Sequence, residues 1–343
     1  MKALCIGESL QEITCPINVV LNEGMKLRIQ EKYECSAGHA GNVAYLLGKW
    51  GVETYIASML GADDAANNIK KDFENIGVKV DYVETSYDKP TGKSVVTVNV
   101  TNKNTTIVDI ASNSNLKKYA FAIEPDIIVA DGNDFAATVA AFDKFKNAKS
   151  FLMVTRNNNE VVELCKYVNY IVFNKDMAEV VAGLKIDYND SSTLVNLYNK
   201  LKQKYNVQEI VVTLGERGCM YSVNSQVKIL PPVKVDIVDT NGAGDTFMGA
   251  FAFAIGRGFD LEKSVTYATI AASFSITKFT SRLSIPAITE VTSYYDNKFG
   301  IQNNQSNNNT QTANMNTTVD ESLLFVCYYL IGYFVFQIYY HNN

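Results

Sequence analysis

Apolar runs of strand length alternate with helix-period segments through most of the chain, and this alternation restricts the fold more than any other feature. Ala3–Ile6, Thr54–Ser58, Asp126–Ala130, Phe151–Val154, Tyr170–Phe173 and Glu209–Leu214 read as buried strands. Between them lie helical stretches such as Asn42–Trp50, where Val43, Leu46, Leu47 and Trp50 share one face. Such a pattern predicts an α/β fold, a mostly parallel sheet flanked by helices. With 343 residues, 47% of them hydrophobic, the chain has material for a large core.

One region breaks the alternation. Ser94–Val100 and Asn104–Ile110 flank a polar turn, which predicts an antiparallel hairpin and so a small β-sheet lid, drawn from about 11–36 and 90–111, on the main domain of 1–296. Residues 297–318 are rich in Asn, Gln and Thr and read as a disordered linker. The apolar tail at 319–343 contains Leu323–Tyr340, eighteen mostly apolar residues at the short limit for a membrane span. Membrane tethering and a functionless extension are both open readings of it.

Charge and rare residues exclude several functions. A net charge of −5 argues against a nucleic-acid surface. The six cysteines form no Cys-x-x-Cys pair, as expected for reduced thiols in the cytoplasm. With His39 and His341 the only histidines, a His-rich metal site is nearly excluded.

Two segments carry chemistry. In Asp239-Thr240-Asn241-Gly242-Ala243-Gly244-Asp245, small residues lead into an apolar helix. Its first-turn N–H groups and dipole suit an anion, and Asp245 could take a proton from a hydroxyl. In Ala37-Gly38-His39-Ala40-Gly41-Asn42, glycines again open a helix, and Asn42 offers a donor and an acceptor. Either segment alone could be an ordinary helix cap.

Together, in this order and about two hundred residues apart, they resemble both signatures of the ribokinase-like (PfkB) carbohydrate kinases. The resemblance covers roughly residues 1–295. It implies an ATP-dependent kinase that phosphorylates a hydroxyl of a small sugar such as ribose, fructose or ketodeoxygluconate. A nucleoside kinase or a catalytically weak binding relative are the alternatives. It further implies Asp245 as catalytic base, the amides of Gly242, Ala243 and Gly244 as anion hole, and Glu12, Gly38, His39 and Asn42 as substrate contacts. Asn174, Thr213, Gly215, Gly218 and Arg156 would serve the nucleotide. Mg²⁺ would arrive on the ATP phosphates with no direct protein ligand, K⁺ could support the site, and a homodimer could form through the lid.

Departures from the family pattern stand out. Glu12 replaces an Asp, Met177 replaces the Glu of an Asn-x-x-Glu element, and Thr280 and Ser281 stand where relatives often carry glycine. Asp176 or Glu179 could stand in for the missing Glu. Thr91-Gly92-Lys93-Ser94 imitates the end of a P-loop, but Tyr87 occupies the position that needs glycine.

Overall fold

The computed structural model describes residues 1–300 except 100, 102–103, 110–114 and 157–158. Nine strands form the main sheet: β1 (Lys2–Ile6), β4 (Glu53–Gly61), β5 (Lys79–Ser86), β8 (Ile127–Ala130), β9 (Lys149–Val154), β10 (Tyr170–Asn174), β11 (Glu209–Thr213), β12 (Cys219–Val223) and β13 (Gln226–Leu230). Their order is β13-β12-β11-β10-β9-β8-β1-β4-β5. From β11 to β5 every pairing is parallel, and β12 and β13 add an antiparallel edge. All four residues of β8 are buried, the mark of a strand covered on both faces. The missed strands have weaker patterns. In β5 the sequence KVDYVETS is half polar, as an edge tolerates. Asn224 and Ser225, both at positive φ, close β12 onto β13.

Helices cover both faces. On one lie α3 (Phe135–Lys144), α4 (Asn159–Leu164), α5 (Lys175–Ala182) and α6 (Ser191–Lys204), over a core that takes Leu4 and Ile6 from β1. The alternate β1 residues, Ala3 and Cys5, are equally buried and turn to the opposite face. There α1 (His39–Lys49) packs on α7 (Ala243–Gly256), and α7 packs on α8 (Leu261–Ser275), which contacts α9 (Ile288–Tyr295). An added Cβ on Gly249 would stand 3.2 Å from Leu46, so that glycine lets α1 and α7 approach closely.

The lid is a second sheet of four strands, β2 (Leu10–Pro16), β3 (Tyr33–Ala37), β6 (Lys93–Val98) and β7 (Asn104–Asp109), ordered β3-β2-β6-β7. β6 and β7 form the hairpin expected from the alternation, with Lys93 opposite Asp109. Along β6, Ser94, Val96 and Val98 are buried while Lys93 and Val95 are exposed, so the lid has one inner face. Its root is clamped. Asp63, the N-cap of α2 (Asp64–Asn75), accepts from Thr91 N (2.8 Å) and Thr91 Oγ1 (2.6 Å). The false P-loop is therefore the entry to a lid strand.

One compact unit spans Met1–Tyr295, and Asp296–Gly300 form a single helical turn at the start of a second unit. The linker from 301 onward, the Leu323–Tyr340 tail and the hairpin residues Val100 and Ile110 lie outside the described residues. Among the described residues no helix is long and apolar enough to cross a membrane.

Candidate active site

The chemistry-bearing residues gather at the C-terminal ends of the parallel strands, where an open α/β sheet leaves its crevice. β1 delivers Gly7 and Glu8, β8 delivers Asp131, β9 leads to Arg156, and β10 and β11 end side by side at Asn174 and Thr213. Asp131 is the knot. Its Oδ2 accepts from Glu8 N (2.8 Å) and Ala40 N (3.2 Å), and its Oδ1 accepts from Asn133 N (2.8 Å). The start of α1 is thereby tied to the ends of β1 and β8. Gly38, at φ 98°, caps that helix, and a Cβ there would lie 2.5 Å from Glu8 O. Only glycine fits.

α7 starts on Gly242, at φ 75°, where a Cβ would meet Ser281 at 2.6 Å. Asp239 orders the preceding loop by accepting from Asn241 N (2.9 Å) and Thr280 N (3.1 Å). Beyond it, a Cβ on Gly244 would find no atom within 4 Å. The first turn of α7, with its N–H groups lacking partners four residues back, thus has open space at Gly244.

Asp245, only 5% exposed, stands between the two helix starts. Its Oδ1 lies 2.7 Å from His39 Nδ1, and its Oδ2 accepts from Asn42 Nδ2 at 2.7 Å. Burial alone would lower the His39 pKa. The Asp245 carboxylate, by charge and hydrogen bond, outweighs it with help from Glu8 and Asp131, and the pKa rises to about 10. The imidazolium ring remains 35% exposed, so solvent screens part of that attraction. Glu8 is pushed up by burial, with Asp131 and Asp245 adding to the shift against His39 and Arg156. Arg156 reaches Glu8 (3.4 Å) and Asn133 (3.1 Å).

Glu12 is 3% exposed and spent within the protein. It accepts from Asn241 Nδ2 (2.8 Å), Ser281 N (3.0 Å), Ser281 Oγ (2.7 Å) and Thr14 Oγ1 (3.1 Å). The longer carboxylate reaches past the lid strand to hold the loop before α7. Thr280 retains a glycine-like conformation, φ 76°, despite its branched side chain.

On the nucleotide side, Asn174 caps α5 by accepting from Met177 N (2.8 Å), and Thr213 Oγ1 donates to Phe173 O (3.3 Å). Gly215, at φ 61°, faces open space, whereas a Cβ on Gly218 would fall 1.9 Å from Leu230 O. Met177 is buried in the core. Glu179 does not replace the missing Glu: it is buried between Lys185 (2.7 Å), Lys175 (3.5 Å) and Ile186 N (3.0 Å). Asp176 is exposed on the first turn of α5. Among the described residues no group of three metal-ligating side chains forms a site.

His39, Asn42 and Asp245 are thus in direct contact. Glu12 joins the Gly242 loop through Asn241, Asn174 and Thr213 pair at neighbouring strand ends, and Arg156 belongs with Glu8. Sequence reasoning missed Glu8, Asp131 and Arg282. An acidic residue one or two positions after a buried strand was a usable signal for the first two. For Arg282 there was none.

A buried carboxylate thus stands at a glycine-led helix start, and the small second sheet is joined through Glu12 to the loop before that helix. The profile of the pfkB family carbohydrate kinases matches residues 2–288. Ribokinase from Staphylococcus aureus (strain COL) is 25% identical over 303 residues, covering 84% of this chain and 98% of that protein. Ribokinase from Arabidopsis thaliana, solved with ribose and ATP, superposes with a TM-score of 0.70 at 20% identity, covering 85% of this chain and 97% of that one. A nucleoside kinase from Methanocaldococcus jannaschii gives a TM-score of 0.69 at 18% identity over 85% of this chain and 97% of its own. The chain belongs to the pfkB family of carbohydrate kinases and is a phosphotransferase with an alcohol group as acceptor.

Proposed function

We propose that the enzyme transfers the γ-phosphoryl group of ATP to a hydroxyl of a small sugar, with Asp245 as base. The observation that carries this is the pair of bonds on Asp245. Asn42, buried, holds Oδ2, while the half-exposed His39 holds Oδ1. Oδ1 is therefore the oxygen free to exchange its partner for an acceptor hydroxyl. As the hydroxyl oxygen attacks the γ-phosphorus, its proton passes to Oδ1. The bond from that phosphorus to the β,γ-bridging oxygen breaks, and ADP leaves with the electron pair. The amides of Gly242, Ala243 and Gly244 would seat the migrating phosphoryl group in the open space at Gly244. Asn174, Thr213, Gly215, Gly218 and Arg156 are assigned to the nucleotide.

Mg²⁺ fits this site as an ion carried by the nucleotide. Asp131, Glu12 and Glu179 are spent on hydrogen bonds and ion pairs within the protein. Bound there it would neutralise phosphate charge. K⁺ belongs to the reading only as a support for the 277–284 loop, which Asp239 and Glu12 already tether.

The lid supports a small polar acceptor. Ser94 is the register partner of Glu12 on the adjacent strand and shares its face. Its hydroxyl is buried with no partner, and its inner-face neighbours Val96 and Val98 are aliphatic. The fold shared with a nucleoside kinase keeps adenosine as the second reading. Incubating the full chain with ATP, Mg²⁺ and ribose, fructose, ketodeoxygluconate or adenosine, and following products by mass, tests both. A sugar phosphate is expected. Adenosine monophosphate would replace the first reading by the second, and binding with no product would overturn both.

Dimerisation through the lid and membrane tethering by 323–340 remain part of the proposal. Sedimentation of the full chain tests the one, and its partition into vesicles against that of a 1–296 truncation tests the other.

A further inference from the structure

Arg282 is 1% exposed, the largest fully buried side chain of the described residues, on the loop between α8 and α9. Its guanidinium lies 4.8 Å from the centre of the Phe73 ring and 5.3 Å from that of Tyr45. Nη2 donates to Ala37 O (3.1 Å), Nε donates to Asn42 Oδ1 (3.2 Å), and Nη1 is buried without a partner. Burial, by stripping water from the cation, lowers its pKa against the opposing pull of Cys35, Asp72, Tyr45 and Glu12. Such an expensive group calls for a reason.

The reason follows from which atoms can donate. A guanidinium only donates and a carboxylate only accepts, whereas the Asn42 amide has one end of each kind. Arg282 on Oδ1 and Asp245 on Nδ2 fit one orientation of that amide. Turned over, it would set two donors face to face at Arg282 and two acceptors at Asp245. Rings and carbonyl fix the guanidinium, which fixes the amide, which fixes Oδ2.

We infer that Arg282 is a positioning residue for phosphoryl transfer, acting through Asn42 to hold Asp245 with Oδ1 turned toward the acceptor. Arg282 touches neither substrate nor reacting atoms in this scheme. The inference rests on the kinase reading for its effect on rate, but not for its effect on the amide.

Two readouts separate these. In ¹⁵N–¹H spectra, the Asn42 side-chain NH₂, identified by its loss in Asn42→Asp, should carry the downfield shift of a charge-assisted bond. It should return toward the free-amide position in Arg282→Met, which keeps much of the apolar bulk, and be largely retained in Arg282→Lys, which keeps a donor. In turnover, Arg282→Met should lower kcat about tenfold to a hundredfold, the scale of one lost bond to a charged group. Its acid limb should move to higher pH, with the nucleotide KM unchanged. Arg282→Met added to Asn42→Ala should cost almost nothing further.

A role in packing alone would lower the melting temperature and leave the amide signal and the pH profile of the folded fraction in place. That result, or full additivity with Asn42→Ala, would overturn the inference. Absence of any turnover in the native chain would sink the kinase reading, and the NMR arm would still decide the amide. Should Arg282→Met not fold, Arg282→Leu, which also lacks a donor, carries the same comparison against Arg282→Lys.

Discussion

Two helices in this molecule begin the same way, on a left-handed glycine amid small residues, yet one start is closed and the other open. At α1, the backbone of Glu8 presses on Gly38, Gly41 N donates to Glu8 O (3.0 Å), and Ala40 N is taken by Asp131 (3.2 Å). At α7, Gly242 is pressed by Ser281, but the next glycine, Gly244, faces space. Glycine in a helix-opening loop therefore has two distinct uses. One lets protein meet protein, and the other leaves room for a ligand. In the reading above, the first positions His39 and Asn42, and the second receives the phosphoryl group.

Exchanging glycine for alanine should expose that contrast. Gly38→Ala combines a left-handed backbone with a backbone clash and should cost about 2–4 kcal/mol, lowering the melting temperature by roughly 5 °C or more. Thermal unfolding checks it, and a variant as stable as the native chain would remove the closed-turn half of the comparison. Gly244→Ala should stay within about 0.5 kcal/mol in stability, because the methyl enters empty space. There the loss should be functional, with the nucleotide KM rising about tenfold as the methyl meets the phosphate. An unchanged KM would mean that the open turn is not the seat.

His39→Gln sharpens the bridge between the two turns. It removes the imidazolium but keeps a hydrogen-bonding side chain, and kcat/KM should fall by about tenfold, seen in steady-state assays. The smallest effect concerns pH. A raised His39 pKa means that its ion pair stabilises the ligand-free fold fully below about pH 6.5 and loses that contribution as pH rises toward 10. The His39 ring signals, identified by their loss in His39→Gln, should keep their protonated positions through pH 8. Titration of the ring near its ordinary value would contradict the pair.

Much of this was legible in the sequence. Ala3–Ile6, Phe151–Val154 and Tyr170–Phe173 stand as strands because a parallel sheet buries both faces and leaves uninterrupted apolar runs. The hairpin of β6 and β7 followed from its alternation. Helix α1 begins at His39, three residues ahead of the periodic apolar stretch, since its first turn is ordered by polar contacts that leave no periodicity. What escaped notice depends on long-range pairing. Asn42 meets Arg282 across 240 positions, Glu12 meets Ser281 across 269, and Glu8 meets Asp131 across 123. No local pattern announces that a carboxylate such as Glu12 will be consumed by distant donors. The glycine-like φ of Thr280 was equally hidden, because a branched residue in sequence argues against it.

The most direct test is turnover by Asp245→Asn, which keeps the size of the side chain while removing the proton acceptor. With the acceptor that the native chain uses, kcat should fall by about a thousandfold, while calorimetry finds ATP binding and thermal stability close to native. Native-like turnover in that variant would contradict Asp245 as the base.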